Sequence, residues 1–449
     1  MNTRKTLQLL RDYESRNVTF VDPEGGWPIV WAKAKGSHVW DAEERKYLDL
    51  TAAFGVAAAG HANAGVVRAG RKQMGTLLHA MGDVHPHSLK AELARELSQV
   101  TFGRWAVAAD VRRRSRSADG NVRLVTSAAT GKTIFCNSGF EAVEAALKTA
   151  FLATGKSRVV AFEGGYHGLG YGALTTTHRA HFRDPFRRQL REFADFVPFP
   201  DGPALDRIDD ALMKLLKRGD VGAVLVEPMQ ARGGICIPPP EFLQMLRRRC
   251  DEFGALLIVD EIYTGFGRTG RWFACEHGGV VPDLICLGKA LTGGFPLSAC
   301  VGRADVMDRA WPASNGEAIH TSTFLGHPVG CAMALAQLQE LKRLMLPARS
   351  AKLGDFLLAE LRSLRSKTLT LHARGSGLMA GLELRRHDGS PATGEALRII
   401  KQLLREGFIF LPEGEHANVI GITPPLTISE RDLFRAVKAL ANALRTVDS

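Results

Sequence analysis

Lys289 follows the apolar run Leu284–Leu287 and is bracketed by Gly288 and the Gly293-Gly294 pair. Lysines are ordinarily solvated. One trapped in a glycine corner after a buried strand loses hydration, which disfavours the ammonium form and makes the free amine a nucleophile. A second apolar run, Leu256–Val259, ends in two acids, Asp260 and Glu261. A carboxylate there is costly to bury unless paired, so it either caps the next turn or holds a cation. A third run stops at Asn137-Ser138-Gly139-Phe140-Glu141, where an Ala/Glu-rich helix begins. The Ser138 hydroxyl and the free amides of Gly139 and Phe140 make a phosphate seat. Taken alone, Ser138 reads equally as an ordinary helix N-cap. The fourth is Glu163-Gly164-Gly165-Tyr166-His167-Gly168, an aromatic pair among glycines. Alone this is a structural turn; within a site, Tyr166 stacks on a flat ring and His167 lines the pocket. A further cluster, His320 to Pro328, offers hydroxyls, Thr323 among them, ahead of a helix.

An α/β pattern positions these residues. Strands are expected at Thr133–Cys136, Arg158–Phe162, Ala223–Val226, Ala255–Val259 and Leu284–Leu287, each continuously apolar, as a sheet covered on both faces requires. Helical spacing covers Glu141–Leu152, Asp206–Lys217 and Pro240–Phe253 between them. The chemically specific residues therefore fall at strand ends, where open α/β sheets collect ligands. Beyond Cys331 come longer helices (Ala332–Leu344, Leu353–Leu364), a strand-rich piece (Leu369–Leu384) and helices near Glu395–Glu406 and Glu430–Leu444. The expected organisation is an N-terminal arm or small-domain segment (1–60), a large domain with a mostly parallel central sheet flanked by helices (61–330), and a smaller α+β domain (331–449).

The 449 residues are 45% hydrophobic and 23% charged, enough for a large core without metal or disulfide support, which excludes stapled miniature folds and wholesale disorder. Seven scattered cysteines with no CxxC pair read as reduced thiols, neither a disulfide framework nor a zinc site. The N-terminus lacks a signal-peptide stretch and no run approaches the ~20 apolar residues of a membrane span, so a cytoplasmic chain without a membrane partner is expected. Lys+Arg 58 against Asp+Glu 47 gives a net charge of +11, compatible with nucleic acid or acidic metabolites. Arg104, Arg112, Arg113, Arg114, Arg116 and Arg123 all fall within 103–130. That stretch reads as a solvated basic insertion, because a nucleic-acid arm interleaves aromatics and this one has only Trp105.

A phosphate seat, a stacking ring, a buried acid and a buried lysine together are what pyridoxal 5′-phosphate requires: the lysine for a Schiff base, the acid to keep the pyridine nitrogen protonated. From about Gly36 to the C-terminus the sequence resembles the class III (ornithine/4-aminobutyrate-type) aminotransferases of PLP fold type I. The resemblance is carried, in order, by Asn137-Ser138-Gly139-Phe140-Glu141-Ala142, Val226-Glu227-Pro228-Met229-Gln230, Asp260 to Gly270, Gly288-Lys289-Ala290-Leu291 and Ser322-Thr323.

The resemblance implies that Lys289 is the Schiff-base lysine and proton shuttle, Asp260 the pyridine-nitrogen partner and Tyr166 the ring stacker. Ser138, Gly139 and the Phe140 amide would hold the phosphate, with His167, Glu227 and Tyr263 beside the cofactor. Thr323 would reach the phosphate of a neighbouring subunit, making a homodimer with shared sites, or a tetramer of such dimers. Arg374 matches an arginine that pairs with a substrate carboxylate, and Phe54 falls where the family places a substrate-pocket aromatic. Three residues depart from the pattern. Tyr263 replaces a glutamine common at that place, Phe140 a small residue, and Arg232 a glutamate that in some members shields the carboxylate-binding arginine.

The implied activity is ping-pong transfer of an amino group from an amino acid or amine donor to a 2-oxo acid. Aminomutases of the glutamate-1-semialdehyde type and decarboxylases share the scaffold, and dependence on an amino acceptor separates them. A non-enzymatic nucleic-acid binder is the distant alternative, since it has no use for a buried lysine and acid at strand ends. The donor is left open.

Overall fold

The computed structural model describes residues 1–23, 26–106, 130–200, 202 and 205–447. Most of the basic stretch expected at 103–130 lies outside the described residues. Of its first residues Arg104 is exposed, whereas Trp105 is buried, edge-on to Phe102 and Phe273 with ring centroids 5.3 and 5.9 Å away.

Strands β1 (Trp31–Lys35), β2 (His38–Asp41) and β3 (Lys46–Asp49) form an antiparallel meander. The central sheet has seven strands: β4 (Gly131–Cys136), β5 (Arg158–Phe162), β6 (Ala194–Val197), β7 (Val221–Val226), β8 (Leu256–Asp260), β9 (Leu284–Leu287) and β10 (Ser298–Arg303). Their spatial order is β4-β10-β9-β8-β7-β5-β6. All pairs are parallel except those of β10, which runs against both β4 and β9. Two reversals restore direction, so β4 points the same way as β9. Every residue of β7, β8 and β9 is buried, which is why these strands read as unbroken apolar runs. Ile258→Ala in β8 is expected to cost about 2–5 kcal/mol, read as a shifted denaturant midpoint with unchanged slope; a cost below about 1 kcal/mol would contradict its central place.

The helix Gly139–Thr154 turns Ala142, Val143, Ala145, Ala146 and Ala150 inward, small side chains that let it lie close to the sheet. It stops at Gly155, whose φ of 68° a side chain would strain. Strands β6 and β10 were not anticipated. β6 is short, and both carry polar or glycine residues that dilute the apolar signal.

In the C-terminal part, β11 (Leu369–Ser376), β12 (Met379–Arg386), β14 (Leu411–Glu413) and β15 (Val419–Ile422) form an antiparallel sheet in the order β11-β12-β15-β14. The two-residue β13 (Phe408–Ile409) instead crosses to pair in parallel with β3. The helices Pro328–Arg343 and Leu346–Ser363 begin earlier than their apolar spacing indicates, each with proline in its first turn, where a missing N–H costs nothing. All seven cysteines are free thiols.

Candidate active site

Because β4, β5, β7, β8 and β9 run in one direction, their carboxyl ends share one edge of the sheet. That edge carries Ser138 beyond β4, Tyr166 and His167 beyond β5, Glu227 beyond β7, Asp260 at the end of β8 and Lys289 beyond β9. Lys289 has φ 43°, a left-handed backbone that costs a non-glycine residue about 1–3 kcal/mol and that surrounding structure must enforce. A cavity of about 430 Å³ opens here, lined by Gly139, Phe140, Tyr166, His167, Glu227, Arg232, Asp260, Ile262, Tyr263 and Lys289 among others.

Asp260 is held from two sides: Oδ2 lies 2.8 Å from His167 Nδ1, and Oδ1 accepts the Ile262 N–H at 3.1 Å. Both side chains are buried. Burial lowers the pKa of the Lys289 ammonium, against the attraction of Asp260, Glu227 and Glu413. The Lys289 Nζ stands 4.3 Å from the centroid of the Tyr263 ring. Burial also pushes the Tyr263 phenol up to about 12, keeping it neutral, and its hydroxyl lies 3.0 Å from Thr423 Oγ1. Glu227 accepts the N–H groups of Tyr166 (2.9 Å) and Ala231 (3.3 Å), and burial raises its carboxyl to about 7. The Tyr166 ring is set edge-on to Phe182, 5.5 Å between centroids.

Ser138 precedes the helix with extended backbone, φ −124°, yet its hydroxyl caps nothing. Ser138 Oγ is buried without a hydrogen-bond partner, while its carbonyl accepts from Ser298 Oγ at 2.5 Å. An orphaned buried hydroxyl beside open helix amides is what a phosphate oxygen would complete. Glycines keep the seat open. A Cβ on Gly139 would come within 3.1 Å of Ile262, and one on Gly168 (φ 111°) within 2.4 Å of the Phe140 Cβ. Phosphate seat, ring cavity, anchored acid and dehydrated lysine together fit pyridoxal 5′-phosphate.

Residues 21–444 match the sequence profile of the family Aminotransferase class-III. The chain belongs to the class III aminotransferases. An acetylornithine aminotransferase from Methanopyrus kandleri is 36% identical over 421 residues, 93% of this chain and 95% of the relative. An ornithine aminotransferase structure from Toxoplasma gondii superposes with a TM-score of 0.83 at 27% identity, covering 100% of this chain and 96% of that one. An omega-transaminase structure from Thermomicrobium roseum gives 0.86 at 25% identity, covering 100% of both chains. The fold is PLP type I, the cofactor is pyridoxal 5′-phosphate, and the chain is an aminotransferase.

Within this aminotransferase the cavity gathers most of the residues singled out by sequence. Ser138 adjoins it through Gly139, and three others lie elsewhere. Arg374, expected to offer its fork to a substrate carboxylate, has spent it: Nε donates to the carbonyls of Gly234 (3.1 Å) and Ile235 (2.9 Å), Nη2 to Gly234 (2.7 Å) and Nη1 to Glu383. The guanidinium of Arg232 lines the cavity instead. Phe54 is half-exposed, following two alanines that share its left-handed backbone (φ 47°, 50° and 60° at residues 52, 53 and 54). Thr323 is exposed, one residue beyond Ser322, whose Oγ accepts from Asn137 Nδ2 at 3.4 Å.

Tyr263, which replaces the glutamine, presents its ring to the Lys289 amine and its hydroxyl to Thr423. Tyr263→Phe is expected to keep that ring in place and lower stability by about 0.5–1.5 kcal/mol through the lost hydrogen bond. Loss of cofactor on that change, followed by dialysis and absorbance, would give the hydroxyl a different role. Sequence reading missed Glu413 and Thr423, which approach the cavity from the C-terminal sheet. Nothing local marks them, since only the pairing of β14 with β15 brings them there.

Proposed function

We propose that this aminotransferase moves an amino group from a donor bearing a primary amine to a 2-oxo acid. The observation that carries the reading is one cavity that holds a dehydrated lysine and a doubly anchored aspartate, with an unpartnered hydroxyl at the start of the helix whose Gly139 and Phe140 line it. The names of the acetylornithine and ornithine relatives favour a donor whose reacting amine ends a short chain.

Bound pyridoxal 5′-phosphate supplies a carbonyl that condenses with amines and a ring that draws electrons from the carbon bearing the amine. Ser138 Oγ and the amides of Gly139 and Phe140 would hold its phosphate, and Tyr166 would cover its ring. Asp260 would face the ring nitrogen, with His167 fixing its orientation. Lys289 Nζ, its proton affinity lowered by burial, would take the proton from the donor carbon and carry it while the cofactor is bound. Tyr263 beneath it limits where the amine can swing.

The assembly proposed is a homodimer. Phe54, Leu78, Met81, Val84, Ile319 and Phe324 are exposed large apolar residues. The segments around 81 and 321 adjoin, with Thr321 Oγ1 donating to Asp83 at 2.8 Å and the His79 and Phe324 rings 5.4 Å apart. A second copy covering this face would bring Thr323 to its partner's phosphate seat. The proposed setting is the cytoplasm; among the described residues no helix is long and apolar enough to cross a membrane.

The direct test is exchange of amino groups between a panel of amines and pyruvate or 2-oxoglutarate, with the cofactor's visible absorbance cycling as each is added. Absorbance changes that need no acceptor for multiple turnovers would favour the aminomutase or decarboxylase alternative. Chains carrying Thr323→Ala, mixed with chains carrying Lys289→Ala, are expected to recover activity. Each hybrid then has one site with both groups intact and one with neither. Failure to recover on proven subunit exchange would remove Thr323 from the partner's site.

A further inference from the structure

A second cavity, of about 270 Å³, lies at the amino ends of β5 and β7, away from the carboxyl edge that carries the catalytic residues. That volume is close to the ~300 Å³ at which small-ligand pockets begin. The two cavities share no lining residue. The floor of the second is Val159 of β5 with Gly222 and Ala223 of β7. Arg158 pairs with Val221 and Val159 with Ala223, so Gly222 is passed over in a bulge. A Cβ on Gly222 would stand 2.7 Å from both the Lys156 carbonyl and Thr154 Oγ1, so only glycine lets the turn after the helix Gly139–Thr154 lie this close to the floor. That helix supplies a wall through Glu144, Leu147, Lys148 and Phe151, the spacing of neighbours on one helical face. Arg191 and Phe193 complete the lining from the segment before β6.

The lining is mostly apolar and carries four cations against one carboxylate. Most of the charges are already engaged. Glu144 Oε1 accepts the Ala173 N–H at 3.0 Å, and Arg158 forks onto Asp195 at 2.7 and 2.8 Å. Lys156 Nζ donates to the Phe253 carbonyl at 3.0 Å, and Lys148 Nζ stands 3.3 Å from His320 Nδ1. Arg191 is exposed, and among the described residues its guanidinium meets no carboxylate or carbonyl. Phe151 keeps half its surface in solvent. An apolar hollow with surplus positive charge complements a ligand that has an apolar body and one negative charge. A bare inorganic anion would leave Phe151 and Phe193 facing water, and an amine would meet like charge.

We propose that this cavity is a second ligand site, for a small monocarboxylate with an aryl or branched-alkyl body. The body lies on Val159, Phe151 and Phe193, and the carboxylate takes the unengaged fork of Arg191.

3-Phenylpropionate, its uncharged amide and inorganic phosphate separate body from charge. Each is titrated calorimetrically into the wild-type holoenzyme, Arg191→Ala, Phe151→Ser and Arg232→Ala. The wild type is expected to bind the acid saturably, about fivefold or more tighter than the amide or phosphate. Arg191→Ala should weaken the acid by about fivefold or more and leave the amide unchanged, whereas Phe151→Ser should weaken both. Arg232→Ala, which alters only the catalytic cavity, should leave this binding in place. Arg191 and Phe151 face solvent, so unchanged melting temperatures are expected to accompany the lost binding. Absence of a saturable site, or a loss below about fivefold in Arg191→Ala, overturns the assignment. Loss in Arg232→Ala instead also overturns it, by placing the acid in the catalytic cavity. Phosphate bound as tightly as the acid overturns it too, leaving a plain anion site.

Discussion

Lys289→Ala is expected to lower turnover by about 10⁴-fold or more, beyond what general acid–base assistance alone contributes, because the variant loses both the amine and the proton carrier. The local structure should survive. Gly288 and the short turn Lys289–Leu291 set the backbone, and alanine removes only the side chain that stands over Tyr263. Cofactor held by the phosphate seat should therefore remain, visible by absorbance but released on prolonged dialysis even after borohydride. Small primary amines added to the variant should restore part of the rate in proportion to their basicity, since proton transfer is the missing step. A variant with more than about a hundredth of wild-type turnover would place the proton carrier elsewhere.

Asp260→Asn comes second in size. The substitution preserves shape and the approach to His167 Nδ1 and the Ile262 N–H, but removes the buried charge. Preorganised charge of this kind is worth roughly 3 kcal/mol or more, so single-turnover rates should fall about 10²–10³-fold while thermal stability changes little. His167→Gln should act in the same direction but less, because it loosens the acid without discharging it. If Asp260→Asn reacted within about fivefold of wild type, the ring nitrogen would need no anion and the acid would be a structural cap.

The site's sheet edge was legible because its signals are local. Unbroken apolar runs announce strands buried on both faces, and Ser138, Tyr166, His167, Asp260 and Lys289 each sit within a few residues of such a run's end. What escaped depends on pairing across long stretches of chain. Arg374 looks free in sequence, yet β11 and β12 fold it onto Glu383, and the Gly234 loop supplies carbonyls from 140 residues away. Glu413 is unremarkable in its own segment and meets Arg232 of the cavity wall only because β14 pairs with β15 and Gly421 leaves room for it. The direction of β10 was equally hidden, since an antiparallel insertion changes no residue's polarity. The early starts of the helices at Pro328 and Leu346 were missed because their first turns are set by proline and cap geometry, and apolar spacing does not register either.

The parallel seam between β3 and β13 bears on how the chain is made. Leu48 N–H donates to Gly407 and Leu50 N–H to Ile409, at 2.8 and 3.0 Å, and Thr423 N–H returns to Leu50 at 2.7 Å. Val39, Tyr47, Leu48 and Leu50 are all buried in the finished protein. On a ribosome adding ~5–20 residues per second, the roughly 360 residues between the two strands take on the order of 20–70 s to appear. For that interval the nascent meander holds an unpaired strand edge beside uncovered apolar side chains, open to the same edge on a neighbouring chain of a polysome. An early sheet of the chain is thus among the last to be completed, and soluble yield should depend on a chaperone that shields it until β13 arrives.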